Sequence, residues 1–351
     1  MSHPIRSGRI GILAVGLSIG AALASTPQIA LADPSADPFS WADQVLSGLA
    51  APADPTSPLD MQISISGMDL FSTVDNTATA NSGFGDIAIA IGNGANASAT
   101  GFGDLSFADG TGSSAITGLG GLFDVALANG AGSNAAGGVA GNFVLASANG
   151  AGSSAAAGLG GNFVVASANG AGSSATAGAG GNLDISSAVG TDSKAEVGIG
   201  GGLDTSFADG TGSYADAGIG QGNNAFALGT DSSAIAGVGN NDLASAVNGG
   251  DATAGGFQSI AFADGANSDA QAIGIGDIAS VVNTGSAFDQ AISGGNAAVP
   301  FSDNDLALII GTGSTATAGF GGSWDLAAAF GDMHDASATG ANFLLDILPS
   351  L

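Results

Sequence analysis

Few side chains in this sequence could do acid–base or nucleophilic work. Beyond the first nine residues the only basic side chain is Lys194, the only imidazole is His334, and cysteine is absent. Proton transfer and covalent catalysis need a group that titrates near neutrality, or a nucleophile with a base beside it. Serine is plentiful, but a single histidine near the end gives no serine an arguable partner. Met333-His334-Asp335 reads as an ordinary turn. Lys194 and Glu196 lie two residues apart, on one face of a strand, and read as an exposed ion pair. Enzymes of the parallel β-helix type that act on acidic polysaccharides would need several bases to hold their substrate. Gly198-Ile199-Gly200-Gly201 mimics a phosphate loop but lacks the following Lys-Ser/Thr. These observations exclude the common catalytic classes, so the chain is expected to be no enzyme and to carry no cofactor.

Calcium is the one inorganic partner the composition raises. The acids total 30, and all but Glu196 are Asp. Asp-rich, Gly-rich turns suit oxygen-seeking ions. The calcium-binding nonapeptide needs Gly-Gly-x-Gly-x-Asp at each turn, and Asp109-Gly110-Thr111-Gly112 does not supply it. Diffuse counterion binding is the expectation, with a specific calcium site as the weaker one.

The first residues read as an export signal. Arg6 and Arg9 precede an apolar stretch from Ile10 to Leu23, and Ala30-Leu31-Ala32 supplies a small-x-small cleavage site before Asp33. Residues 1–32 are therefore expected to be a signal peptide for the general secretory route. The stretch is short and broken for a membrane span, and no later segment has the required apolar length. Cleavage would leave one base against 30 acids, a net charge of −29. Such a chain repels nucleic acid and anionic lipid. An exported protein without cysteine must be stable without disulfides.

The element that must carry everything else is a repeat. Residues 141–160 read GNFVLASANGAGSSAAAGLG and residues 161–180 read GNFVVASANGAGSSATAGAG. The blocks at 101, 121, 181 and 201 keep the frame. A period near twenty residues means stacked units, each supporting its neighbours. The 62 glycines argue against helix, and the missing Gly-X-Y period excludes collagen. About thirteen such units fill residues 83–340.

Each unit has two alternating halves, as half-buried strands do. In the first half, large residues recur at every second place: Phe123, Val125 and Leu127; Phe163 and Val165; Leu183 and Ile185; Leu203 and Phe207. Between them stand Asp104, Asp124, Asp184 and Asp204, then a constant alanine. Stacked like charges without partners do not belong inside a core. The large series, with Phe123, Phe143, Phe163, Leu183 and Leu203 as its ladder, is therefore expected to point inward and the aspartates outward. In the second half Ser133, Ser153 and Ser173 form a ladder, with alanine two places on. Lys194, Glu196, Tyr214 and Asp216 take the other parity, which belongs in water. At one corner Asn129-Gly130, Asn149-Gly150 and Asn169-Gly170 recur, stacking asparagine on asparagine next to a residue free to adopt positive φ. Asn-Gly also suits hairpins, so a meander is the rival topology. The fixed frame favours an all-β parallel β-solenoid.

The ends differ. Residues 33–82 read as a leading cap. Within it, Trp41, Val45, Leu46 and Leu49 fall on one face of a short helix over 40–49. Pro52, Pro55 and Pro58 follow, then a strand from Met61 with Ile63 and Ile65 on one side. Residues 341–351 carry Phe343, Leu344, Leu345, Ile347 and Leu348 and read as an apolar cap over the last coil.

Residues 224–237, NAFALGTDSSAIAG, and 258–274, QSIAFADGANSDAQAIG, resemble the head repeats of trimeric autotransporter adhesins. The resemblance lies in Ala225-Phe226-Ala227-Leu228-Gly229 followed by Ser233-Ala234, Ala236 and Gly237. Ile89-Ala90-Ile91-Gly92 with Ala97 and Ala99 is a third copy. It implies a parallel β-roll displayed on a cell surface. The export signal with Gly/Ala/Asn-rich repeats also resembles, in style, exported glycine-rich surface proteins of mycobacteria. The expected role is a secreted or envelope-associated structural and interaction protein. Its partner would be a host or envelope surface component, and homo-oligomers remain open. The alternative is a calcium-responsive secreted module resembling repeats-in-toxin proteins.

Overall fold

The structure, a computed structural model, describes residues 60–348 except 119, 140, 161, 180–181, 198–201, 283–288, 295–303, 320–323 and 339–344. The expected signal segment with Ala30, Ala32 and Asp33, the 40–49 helix, and Phe343 and Leu344 lie outside the described residues. The chain divides into two units, Met1–Gly160 and Gly161–Leu351.

Unit 1 opens with an antiparallel hairpin, β1 (Met61–Ile65) and β2 (Met68–Ser72). Strand β3 (Thr79–Ser82) follows. Four coils come next, each a pair of strands: β4 (Ile87–Ile91) with β5 (Asn96–Ala99), β6 (Leu105–Asp109) with β7 (Ser114–Thr117), β8 (Val125–Asn129) with β9 (Asn134–Val139), and β10 (Leu145–Asn149) with β11 (Ser154–Leu159). The first strands of the coils pair in parallel as one sheet, and the second strands as another. Like stacks on like: Ala108 pairs Ala128, Ala128 pairs Ala148, and Ala115 pairs Ala135. Antiparallel β1 covers the free edge of β4, register Ile63↔Ile89, so the leading edge of that sheet is closed by a hairpin.

Unit 2 repeats the plan from the strand Val165–Asn169 onward. Parallel register persists through Ala188↔Ala208, Ala208↔Ala227 and Ala227↔Ala246. A short third ladder joins Ile219–Gln221 to Val238–Asn240, which then pairs the end of Asp251–Phe257. The terminal strand Leu345–Leu348 adds to the first sheet beside Leu326–Phe330. Coil-on-coil steps with both strands in parallel number three in unit 1 and eight in unit 2. The chain is thus a parallel β-solenoid with about eleven such steps between coils, close to the thirteen units read from the sequence.

The alternation is as the sequence implies, but the faces of the first sheet are reversed. Asp104, Asp124, Asp184 and Asp204 are buried, as are the Ser or Ala two places on (Ser106, Ala126, Ser186, Ser206) and the Ala four places on. Phe123, Phe143, Phe163, Leu183 and Leu203 are exposed. The physical reason is a partner the sequence did not disclose. Each aspartate Oδ1 accepts the backbone N–H of the equivalent residue one coil on: Asp104 N to Asp86 at 2.9 Å, Asp124 N to Asp104 at 2.9 Å and Val144 N to Asp124 at 3.0 Å. A buried polar group that finds its bond is tolerated where an unpaired one is not. The opposed sheet turns Ser113, Ala115, Ser133 and Ala135 inward, as expected. The core is accordingly a thin layer dominated by Asp, Ser and Ala, with Val144, Val164, Val281 and Ile309 as its larger members and Phe123, Phe143 and Phe163 outside it.

A glycine three places before the aspartate makes the space. A Cβ on Gly121 would strike both the Asp124 Oδ2 and the backbone oxygen of Gly141. Gly83 stands in the same relation to Asp86, and Gly101 to Asp104. Gly121→Ala should destabilise the chain by about 1–3 kcal/mol, because the carbonyl cannot move without breaking the stack. A thermal melt checks this, with a loss of several degrees expected.

Candidate functional surface

Two columns next to each other in sequence define the corner where each coil begins. The inner one is the aspartate column. In unit 1 it runs Asp86, Asp104, Asp124 and Val144; in unit 2 it includes Asp184, Asp204, Asn223, Asp242 and Ser259. The ladder of bonds continues in unit 2 from Asp204 N to Asp184 at 3.4 Å, Asn223 N to Asp204 at 2.8 Å, Asp242 N to Asn223 at 3.1 Å and Ser259 N to Asp242 at 2.9 Å. Asp86 also accepts Gly101 N–H on its Oδ2 at 3.1 Å; the later aspartates use Oδ1 alone. The Oδ2 atoms of Asp104, Asp124, Asp184, Asp204 and Asp242 are buried without a hydrogen bond.

Burial therefore sets the charge of this column. It pushes the Asp104 carboxyl up to about 7, against the opposing bond from Asp124 N–H and with help from the charges of Asp124 and Asp86. It pushes Asp204 up to about 6, opposed by the bond from Asn223 N–H and aided by Asp184. Asp124, Asp184 and Asp242 are raised for the same reason. These five carboxyls hold their protons to higher pH than an ordinary aspartate does.

The outer column is one residue earlier: Gly85, Gly103, Phe123 and Phe143 in unit 1, and Phe163, Leu183, Leu203, Gly222, Asn241, Gln258, Gly276, Asn304 and Trp324 in unit 2. Every one has positive φ, between 56° and 87°. This left-handed corner aims the side chain away from the core, which is why Phe and Leu in it are half exposed. Gly and Asn adopt it readily, whereas a bulky side chain there is strained by about 1–3 kcal/mol. In unit 1 the rings of Phe123 and Phe143 stack at 5.6 Å and 20°, and Phe102 meets Phe123 edge-on at 6.5 Å. Such pairs return about 0.5–1.5 kcal/mol. Phe84, Phe102 and Leu122 extend the apolar ridge of unit 1. No charged residue occupies the left-handed column among the described residues.

The other expected ladders occupy supporting positions. Ser133 and Ser153 are buried, and each Oγ donates to a carbonyl three residues back, at Gly130 and Gly150, at 2.9 Å; Ser173 does so to Gly170 at 3.0 Å. They pin the corner whose glycines take positive φ. Asn129 and Asn149 stand in register, whereas Asn169 faces Val189, so the asparagine ladder breaks in unit 2. Lys194 pairs with Glu196 at 2.7 Å and lies 5.1 Å from the Tyr214 ring centroid; the Tyr214 hydroxyl lies 3.2 Å from both Glu196 and Asp216. This is an ion pair on an outward face. His334 follows the positive-φ Met333, and its backbone N–H donates to Ser314 Oγ at 3.1 Å. Among the described residues no three acidic or histidine side chains gather as metal ligands.

No family model, curated protein or solved structure matches this chain. The paired inner and outer columns are therefore the features from which function has to be argued. Sequence reasoning missed the left-handed column, although a position occupied by Phe, Leu, Gly, Asn, Gln and Trp in successive repeats signals a backbone requirement rather than a core.

The raised carboxyls give stability a definite pH dependence. Their folded values lie above the unfolded value of 3.8, so the stability they contribute is present below that value and is lost as pH rises through 6 to 7. The melting temperature should fall between pH 5 and pH 8. Asp104→Asn should flatten that slope and raise the melting temperature at pH 8 by a few degrees, since Asn223 already fills the same column and its Nδ2 reaches the Gly239 carbonyl at 3.2 Å. Melts of both proteins across this range check it.

Proposed function

We propose that this chain is a non-catalytic interaction protein that is exported and held at, or released from, the cell envelope, with its left-handed corner as the contact surface. The observation that carries the reading is the strained placement of Phe123, Phe143, Phe163, Leu183 and Leu203. Folding alone would be served better by the Asn or Gly that the same column uses at Asn241 and Gly222. Bulky apolar side chains held outward against that preference, without charge, suit contact with another surface. The partner is a host or envelope surface component. The export signal before Asp33 and the likeness of residues 224–237 to adhesin head repeats support the location. The scarcity of groups able to titrate or attack near neutrality supports a binding role over a chemical one.

The combined variant Phe143→Asn, Phe163→Asn and Leu183→Asn should fold as before, because Asn is native to this corner. Its share retained on producing cells, measured by fractionation against the medium, should drop severalfold. Unchanged retention with an unchanged circular dichroism spectrum would remove the ridge from the account.

A further inference from the structure

The two outward faces of unit 2 differ in kind. Its first sheet includes eight successive strands from Ile185–Val189 to Leu326–Phe330. The second and fourth side chains of each strand point into the core, and the first, third and fifth point out. The outward set is apolar for the most part. Phe207, Phe226, Phe262 and Leu308 stand in its central row, partly open to water, and Ile185, Ile260, Ile278 and Ile310 are exposed along its rims. Asp209 and Asp264 are its only charged residues, both at strand ends. Over the same coils the outward face of the second sheet carries Lys194, Glu196, Asp216, Asp251, Asp269 and Asp335. No described strand packs over the apolar face.

We propose that this apolar face seats a second copy of the same chain, packed face to face about a two-fold axis that lies along the strands. Eight strands of five residues make a flat face of roughly 600 Å². That is more than a monomer ordinarily leaves open without use. Two copies together would cover roughly 1,200 Å², which reaches the range of stable interfaces. Charge favours the same occupant. A chain of net charge −27 repels its own kind, except where acids are few, as they are here. The face is also complementary to itself. The axis reverses the order of coils in the second copy, so the contact is isologous. With the axis between the coils of Ser245 and Phe262, which are neighbours in register, each Phe262 stands over the partner's Ser245 and each Phe226 over the partner's Ser280. Large side chains then meet small ones, as close packing requires. Asp209 faces the partner's Ile310 and Asp264 the partner's Val247, so no acid meets an acid. None of these residues belongs to the left-handed corner.

Sedimentation of the full chain should give a dimer. Phe226→Lys combined with Phe262→Lys should give a single chain with an unchanged circular dichroism spectrum, since both side chains already touch water. Thr253→Lys, on the charged face, should leave the dimer intact. A second measurement does not depend on the lysines. In this cysteine-free chain, Ser245→Cys should react with a maleimide severalfold more slowly than Thr253→Cys, although both positions are partly open in one chain. A single chain in the unsubstituted protein, an assembly of three or more, a dimer that survives both lysines with its spectrum unchanged, or equal labelling rates would each overturn the proposal.

Discussion

One hydrogen bond, repeated from coil to coil, decides which way this molecule is turned. The backbone N–H at the start of each coil points along the stack to the Asp86, Asp104 or Asp124 carboxylate of the coil before it. That bond lets a charged residue type occupy a core. The opposed inner face is mostly Ser and Ala, with Thr117 and Val197 among its largest members. Glycine must stand three places earlier, or its Cβ would meet the same carboxyl. Large side chains are left the outside, and the left-handed corner sends them there.

The arrangement divides labour between two neighbouring columns. The inner column holds the stack in register through direct bonds from backbone N–H to carboxylate. The outer column is free of folding duties, apart from its φ, and can carry whatever a contact requires. Phe and Leu occupy it in the regular repeats, while Gly, Asn and Gln occupy much of it later. Repetition with variation at one outward column lets a contact surface change without disturbing the core. The same logic places Lys194, Glu196 and Tyr214 on an outward face of the second sheet, where their charges stay in water.

Much of this fold is legible in the sequence. The period near twenty residues, the two strands per repeat, the Asn-Gly corner and the small inner face of the second strand all follow from residues 141–180. The orientation of the first strand does not follow from hydropathy, because hydropathy puts Phe123 inside and Asp124 outside. A direct clue was nevertheless present. The position held by Asp124 is Val in the next two repeats, Val144 and Val164, both buried. A column that accepts Asp, Val, Asn and Ser is a buried column of short side chains. Residues 89, 105 and 127 are buried although their parity is that of the outward face, and nothing in the repeat frame marks them so. The ligand of the ridge has no counterpart in the sequence at all.

The most direct test of the reversed core is a carboxyl carbon-13 titration of the aspartates by nuclear magnetic resonance. The account predicts that Asp104 and Asp204 ionise at about 7 and about 6, and that Asp124, Asp184 and Asp242 are also raised by burial. A single population in which every aspartate ionises near 4 would put the carboxylates in water and contradict it.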